Sequence, residues 1–500
     1  MDPFAPWAAS LKSLRRAPTK GRCDLRCGFP SDPPPPRRRS GGRLAGALAA
    51  LVPVALAGAE TLPVADGYNG IWYFNQPSND RYAYKYSGGF ATYPQQQSPI
   101  AIYVAKVNKT FFCYGGAQPG SRKLLHMISY FDHSTGVVPR PSILVDKETE
   151  DAHDNPVMSI DDSGHIWIFS NAHGTARPAY IHRSVKPYGI REFERVATTN
   201  FSYGHPFFHP GRGFLFLHTI YENRGRSLYF SSSRDGREWE RPRLLARAEL
   251  GHYQITAHAA GRSASAFNLH PEPVGLNART NLYYMETRDM GKTWTNAAGE
   301  PVGIPVRSAV NAALVHDYRG EKRLVYLKEV AFDVDGRPVI LYLTSAGYES
   351  GPKSDPRVWH TARWTGAQWQ IREFTRSDHN YDFGALWIER DGTWRVIAPT
   401  DPGPQPYTTG GDMVMWTSRD KGAIWTRVRK LTSAQRFNHT YARKPVNAHP
   451  DFYAIWADGD TLKPSSSSLY FTNRTGDKVW RLPETMTADV AKPQPVALPR

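Results

Sequence analysis

Short apolar segments recur along the chain from residue 68, broken by Gly, Asp and Asn. Ile166-Trp167-Ile168-Phe169, Phe214-Leu215-Phe216-Leu217, Leu228-Tyr229-Phe230, Leu282-Tyr283-Tyr284, Leu324-Val325-Tyr326-Leu327 and Val339-Ile340-Leu341-Tyr342 are each of strand length. No long segment places apolar residues at helical spacing, so the pattern predicts strands joined by turns. The 41 glycines and 40 prolines spread through the chain supply those turns and favour a large all-β fold.

The turns repeat as well. Thr287-Arg288-Asp289-Met290-Gly291-Lys292-Thr293-Trp294 and Ser418-Arg419-Asp420-Lys421-Gly422-Ala423-Ile424-Trp425 share one spacing of hydroxyl, Asp, Gly and Trp, and Ser233 to Trp239 is a shortened copy. Weaker echoes stand at Asp161–Gly164, Asp391–Trp394 and Arg474–Trp480. In such a hairpin turn Asp accepts amide hydrogens, Gly supplies a positive φ and Trp packs beneath. The motif resembles the Asp-box, or BNR repeat, of sialidases and related β-propellers. Blades of four strands at roughly 45–60 residues fit that class, and a stretch of about 430 residues then predicts a seven-bladed β-propeller with Asp-box hairpin turns. The motif argues for fold and not for chemistry, so its Asp residues receive no catalytic role.

Charge changes the picture only after it is divided. The formal net charge is +16, but residues 1–59 hold ten basic and three acidic residues and account for +7, leaving +9 for residues 60–500. In that first stretch Arg37-Arg38-Arg39 and Arg43 precede an apolar run from Leu44 to Ala57 that ends in Ala57-Gly58-Ala59. A charged segment, an apolar core and a small-residue site predict a secretory signal peptide. The expected organisation is a disordered leader and signal peptide at 1–59, a single β-propeller domain at 60–490 and a C-terminal tail at 491–500. Cleavage would remove Cys23 and Cys27 and leave Cys113, so no internal disulfide is expected. The expected location is extracellular or periplasmic. No apolar run approaches the roughly 20 residues of a membrane span, and no basic run after residue 60 suggests nucleic-acid binding. A monomer is expected.

Candidate chemistry concentrates around histidine. Asp151-Ala152-His153-Asp154-Asn155-Pro156 and Asn171-Ala172-His173-Gly174 flank a strand-turn-strand segment, which places His153 and His173 at corresponding ends of a hairpin. Imidazole titrates near neutrality, so such a pair can divide base and acid work, or each ring can simply bond its own turn. Further polar segments follow: Tyr203-Gly204-His205, His218 to Tyr221 with Arg224 and Arg226, Gly251-His252-Tyr253-Gln254, Asn277-Ala278-Arg279-Thr280-Asn281, and Asp378 to Asp382. The aromatics around Trp72, Tyr73 and Phe74, with Tyr82, Tyr84 and Tyr86, suit either a sugar platform or ordinary strand packing.

From Gly67-Tyr68 to Leu482-Pro483 these segments resemble the BNR-repeat secreted proteins that include the propeller polysaccharide lyases, the ulvan lyases and rhamnosyl-glucuronate lyases among them. The resemblance implies β-elimination at a 4-linked uronic acid of an anionic polysaccharide. It carries a catalytic role to His153 and His173 and, less directly, to Tyr203 or Tyr253. Asn155 and Arg279 become candidates to hold the carboxylate, with Arg226 assisting on a sulfate or second uronate and Asn281 as a further substrate contact. Arginine suits planar anions because its fork binds them in two places. One departure is Ile220, where the pattern leads one to expect a basic residue unless Arg224 or Arg226 replaces it. Some lyase relatives hold structural calcium or zinc, for which His379, Asp382 and His449, with Asp412 and Asp451, offer mixed N/O donors. No compact ligand motif such as H-E-x-x-H accompanies them, which favours structural hydrogen bonding there. Two other functions compete: an Asp-box glycoside hydrolase of sialidase type, for which no arginine-isoleucine-proline segment is found, and a glycan-binding propeller without catalysis.

Overall fold

The computed structural model describes residues 60–90, 97–222, 225–259 and 261–499. The expected leader and signal peptide, and Arg224, lie outside the described residues. Regular structure among them is strand with short 3-10 turns, as the recurring short apolar segments predict. Four-stranded antiparallel sheets recur in chain order. One runs Ser202–His209, Gly213–Glu222, Gly225–Ser233 and Arg243–Ala246, the next Gln254–Ala259, Arg262–Leu269, Thr280–Thr287 and Leu314–His316, and the next Leu324–Phe332, Pro338–Ser345, Arg357–Trp364 and Trp369–Ser377. Neighbouring strands in sequence are neighbours in space, so each sheet is a local meander. The first strand of each lies against its counterpart in the adjoining sheet, as Gln254–Ala259 does against Leu324–Phe332. Between the sheets sits the apolar core, filled by side chains such as Trp167, Phe169, Leu341, Trp359, Trp394 and Phe471.

The three strongest repeat turns share one hydrogen-bond pattern. The Gly291 amide donates to the Thr287 hydroxyl (2.9 Å) and the Thr293 amide to the Asp289 carboxylate (2.9 Å). Gly422 and Ile424 do the same to Ser418 (3.0 Å) and Asp420 (2.9 Å), and Gly236 and Glu238 to Ser233 (2.8 Å) and Asp235 (3.0 Å). The glycines have φ of +76° to +81°. A Cβ at Gly291 would stand 2.4 Å from the Phe230 ring, while Trp294 packs on that ring at 5.5 Å.

Both ends of the described chain are paired. Glu60–Thr61 adds to the outer strand Glu192–Thr199, and Tyr68 bonds through its amide to Pro483. Strand pairing continues into the expected tail at 491–500: Val490–Ala491 pairs with Val138–Pro139, and Gln494–Val496 with Val479–Arg481. Pro495 lies within the second pairing, opposite Trp480. On an edge strand proline loses no ladder bond if its nitrogen faces outward.

Candidate active site

The hairpin that carries the two histidines is in the expected register. Strand Pro156–Ile160 pairs with Ile166–Ser170, with Pro156 opposite Ser170. His153 and His173 therefore each lie three residues beyond one paired end. Their rings stack at 3.9 Å between centroids with 18° between planes. Asp151 joins them: Nδ1 of His153 lies 2.5 Å from one carboxylate oxygen and Nδ1 of His173 lies 2.6 Å from the other. Asp151 also caps the 3-10 turn Ala152–Asp154 by accepting from the His153 amide. With each Nδ1–H donated to the carboxylate, the basic lone pair of each imidazole is on Nε2.

The electrostatics follow from burial and neighbours. Burial and then the adjacent His173 push His153 down to about 4, so it is neutral at neutral pH. Burial raises the Asp151 carboxyl, but the charges and hydrogen bonds of His153 and His173 outweigh it and hold the group well below the usual carboxylate range. Arg177 reinforces this. It donates to Asp151 at 3.1 Å and clamps the fully buried Asp154 at 2.8 and 3.0 Å, while Lys147 stands 3.5 Å from Asp154. Tyr73 brings its hydroxyl to 3.1 Å from Nδ1 of His153.

Tyrosines and arginines continue the site. Tyr203 sits in a β-bulge of its strand with φ of +50°, a strained value for a non-glycine residue. Asn171 supports this bulge by accepting from the Gly204 amide (2.7 Å) while donating to the Asn155 carbonyl (2.6 Å). The Tyr203 hydroxyl meets that of Tyr221 at 3.0 Å, and Arg226 donates from Nε to Tyr221 at 3.2 Å. Tyr203 also packs edge-on to Tyr253 (5.3 Å) and lies 6.1 Å from the His153 ring. Burial, with Tyr221 and Tyr253 adding to it, pushes the Tyr203 phenol well above its ordinary value, so it holds its proton. The Arg226 and Arg279 guanidiniums lie 5.5 and 5.1 Å from the Tyr253 ring centre. Arg279 donates to the Tyr381 hydroxyl (3.0 Å) and to the Leu276 carbonyl (2.8 Å).

A two-stranded ribbon, Tyr73–Pro77 paired with Tyr84–Gly88, connects these parts. From it Tyr73 reaches His153, Tyr86 stacks near Tyr381 (4.7 Å), and Lys85 donates to the Asn277 side-chain carbonyl. Lys85 is 4 % exposed. Burial first, then the charges of Arg279 and Arg226, pull its ammonium down to about 6.

The geometry thus brings together His153, His173, Tyr203, Tyr253, Arg226 and Arg279. Arg226 pairs with Tyr221 in the strand register, whereas Ile220 pairs with Ser227, so Arg226 and Ile220 present their side chains to opposite faces. The remaining candidates lie in different surroundings. Asn281 uses its amide on the Tyr283 hydroxyl (3.1 Å) and the Arg319 backbone (2.8 Å), which ties it to its own sheet. The Asn155 side chain is buried against Gly115, where its oxygen would lie 2.0 Å from an added Cβ, and neither amide atom has a partner among the described residues. His252 bridges the Ala248 amide and the Asn268 carbonyl. The proposed metal ligands do not assemble as a set. His379 bonds Ser350 (3.1 Å) and accepts from the Tyr381 amide (3.2 Å), and Asp382 accepts from the His379 and Gly410 amides. Among the described residues neither joins a three-ligand group, whereas His449 gathers with His133 and Asp451.

Residues 132–377 match the model of a family described as "BNR repeat-containing family member". An ulvan lyase from Alteromonas sp. (strain LOR) is 24 % identical over 362 residues, covering 62 % of this chain and 70 % of the relative. The structure of an ulvan lyase of polysaccharide lyase family PL25 superposes with a TM-score of 0.66 at 17 % identity, over 83 % of this chain and 96 % of that one. The chain is related to the BNR-repeat propeller polysaccharide lyases. A further lyase structure, Uly1, matches with a TM-score of 0.58 at 12 % identity over 83 % of this chain and all of the other. A second structure of the PL25 lyase holds a GlcA(1-4)Rha3S saccharide and matches as closely in fold, with a TM-score of 0.66 at 16 % identity over the same share of each chain. The family match spans Asp151 to Arg279, so the clustered residues above lie within it apart from the ribbon and Tyr381.

Sequence reasoning assigned no catalytic or substrate-binding role to Asp151, Lys85, Tyr221 or Tyr381, and weighed Tyr73 only as part of a sugar platform or strand packing. Asp151 was legible from its place two residues before His153 at a turn. Lys85 gave no such signal, because Tyr84-Lys85-Tyr86 has the alternation of an ordinary exposed strand, and its partner Asn277 is 192 residues away.

Proposed function

We propose that the protein is a secreted polysaccharide lyase that cleaves a bond 4-linked to a uronic acid, of the rhamnose–glucuronate, ulvan-like type, by β-elimination. Its scaffold in this reading is a single seven-bladed propeller whose repeat turns are Asp-boxes, acting as a monomer. The observation that carries the reading is the Asp151-bridged imidazole pair standing in one site with the chain Arg226–Tyr221–Tyr203.

Removing the C5 proton of a uronate is hard because its carboxylate repels the developing negative charge. Arg226, Arg279 and a protonated Lys85 neutralise that charge with preorganised donors. The neutral imidazole of His153, or the ring of the more exposed His173, accepts the C5 proton on Nε2, and Asp151 stabilises the imidazolium so formed. The electron pair forms the C4–C5 double bond as the C4–O bond breaks, and the Tyr203–Tyr221 pair donates a proton to the leaving oxygen. The imidazolium then returns its proton through solvent to the phenolate, which restores the site. Both guanidiniums stand near the Tyr253 ring, at 5.5 and 5.1 Å from its centre, and in this reading Tyr253 helps to orient them.

The test is incubation with ulvan and related uronate polymers, following the ultraviolet absorbance of the unsaturated uronate together with reducing ends. Both signals should rise together. Reducing ends without the absorbance would identify a hydrolase, and neither signal a glycan-binding protein; each outcome would overturn the proposal.

A further inference from the structure

A separate cavity opens at the far ends of the strands that carry the site described above. Tyr203, Tyr253 and Tyr381 stand at or before the starts of strands Ser202–His209, Gln254–Ala259 and Ala385–Ile388. The Arg279 carbonyl accepts from the Val325 amide at the start of Leu324–Phe332. The cavity lies toward the other ends of the same four strands, where Phe207, Thr256, Glu329 and Trp387 line it together with the stretch Arg443–Ala448. From Tyr253 to Thr256 and His258 is three to five residues of strand, which at about 3.3 Å each is roughly 10–16 Å. The cavity encloses about 320 Å³. That is the small end of ligand cavities, roughly 300–1,000 Å³, so it takes a single ring and not an oligosaccharide.

Its charged groups are fixed by the fold. A β-bulge between Leu327 and Glu329 re-aims neighbouring side chains. Lys328 donates to the Asn380 carbonyl (2.8 Å), while Glu329 is left at the cavity wall. Arg443 donates from Nη2 to the Gln97 carbonyl (2.9 Å) and Lys444 from Nζ to the Leu386 carbonyl (2.8 Å). These bonds hold both heads in place, and each head has further N–H groups. Burial lowers Arg443 only to about 10, so it stays a cation at neutral pH, whereas burial of Lys328 and His258 favours their neutral forms. Glu329 feels the charges of Lys444 and Arg443 but forms no salt bridge with either among the described residues. Two cations therefore face one carboxylate. A buried charge without a counter-charge is costly, so the surplus positive charge calls for an anion. Thr256 Oγ1 and Trp387 Nε1 are also buried without a hydrogen-bond partner among the described residues.

We propose that this cavity binds a small polyhydroxy monocarboxylate, a sugar acid of one ring, with its carboxylate on Arg443 and Lys444. Its hydroxyls meet Thr256, Trp387 and Glu329, and Phe207, Ile255, Val330 and Ile388 give its carbons an apolar wall. A neutral sugar would leave the positive charge unmatched, and a dianion would exceed it and meet Glu329 as a like charge. The site is apart from the elimination site and does not depend on which polymer is cleaved.

The test is isothermal titration calorimetry of the full chain with D-glucuronate, and with D-glucose as the uncharged counterpart. Glucuronate should bind saturably to the parent and to Arg279→Gln alike, and glucose should not bind. Lys444→Met should weaken binding about tenfold or more, the loss of a charge-assisted hydrogen bond, while Lys444→Arg keeps it within about threefold. Glu329→Gln removes the like charge and should strengthen binding severalfold, an effect that damage to the wall would not produce. The inference is overturned by no glucuronate binding to the parent, by equal binding of glucose, or by unchanged or weaker binding in Glu329→Gln. Loss in Arg279→Gln with retention in Lys444→Met would place the ligand in the elimination site and overturn it as well.

Discussion

At the scale of single residues, the reaction depends on Asp151 more than the sequence suggests, because both imidazoles orient through its two oxygens. Asp151→Asn keeps the shape but replaces a charge that stabilises imidazolium with an amide that donates as well as accepts. We expect kcat to fall about 10²- to 10⁴-fold, the range for losing general acid–base function, with KM changed far less. Steady-state kinetics on the cleaved polymer check this, and an equal loss in kcat from His153→Ala would place both groups in one unit. Lys85 makes a different prediction. Its ammonium titrates at about 6 in the free protein, and only the cation attracts a carboxylate. KM should therefore rise as pH increases through about 6, and Lys85→Arg, charged throughout, should abolish that rise; a KM profile identical in the variant would remove Lys85 from binding. The histidine pair was legible because a hairpin converts a sequence spacing directly into proximity. Lys85 was not, since its environment is made by residues from distant sheets.

At the scale of elements, local patterns were the most legible. The repeat turns close within eight residues, so Asp, Gly and Trp could be read with their hydrogen-bond roles attached. Those roles separate structure from catalysis. Gly291 has φ of +81° and the Phe230 ring 2.4 Å from where a Cβ would stand. Gly291→Ala should cost more than about 1 kcal/mol of stability, since it adds left-handed strain to a steric clash. Chemical denaturation would measure the loss, and kcat at a temperature where the variant remains folded should stay within about twofold of the parent. A large kcat loss in the folded variant would connect this turn to the site. The bulge at Tyr203 illustrates the opposite limit. Nothing in Phe201-Ser202-Tyr203-Gly204 announces a positive φ at the tyrosine, because the bulge is imposed from another strand by Asn171. Asn281 is likewise at positive φ, and its side chain bonds the Tyr283 hydroxyl and the Arg319 amide.

For the whole molecule, composition revealed 17 histidines but not that so many are buried and neutral. Burial pushes His153, His218, His252 and His360 each down to about 4, and also lowers His126, His182, His209, His270 and His379. The unfolded chain protonates such histidines near their ordinary value of about 6.5. Between about 6.5 and 4 the unfolded state therefore binds more protons than the folded state, and stability falls as pH falls. Each histidine fully in that regime contributes a slope of about 1.4 kcal/mol per pH unit. Buried carboxyls work in the opposite sense: Asp378, pushed up to about 6, and Asp382 and Glu329, also raised, take up protons preferentially when folded. They are outnumbered by the histidines, and Asp151, held low by its two imidazoles, adds to the acid loss. Lys85 and Lys328, lowered by burial, give a loss in the same sense already from neutral pH down to about 6. Stability should therefore fall as pH drops from about 7, more steeply below about 6.5, with unfolding before pH 4. Denaturant titrations at half-unit pH intervals would show this as a midpoint falling with m unchanged. A midpoint constant from pH 7 to 4 would mean that these imidazoles are protonated within the fold, and with them that His153 is not the neutral base on which the elimination depends.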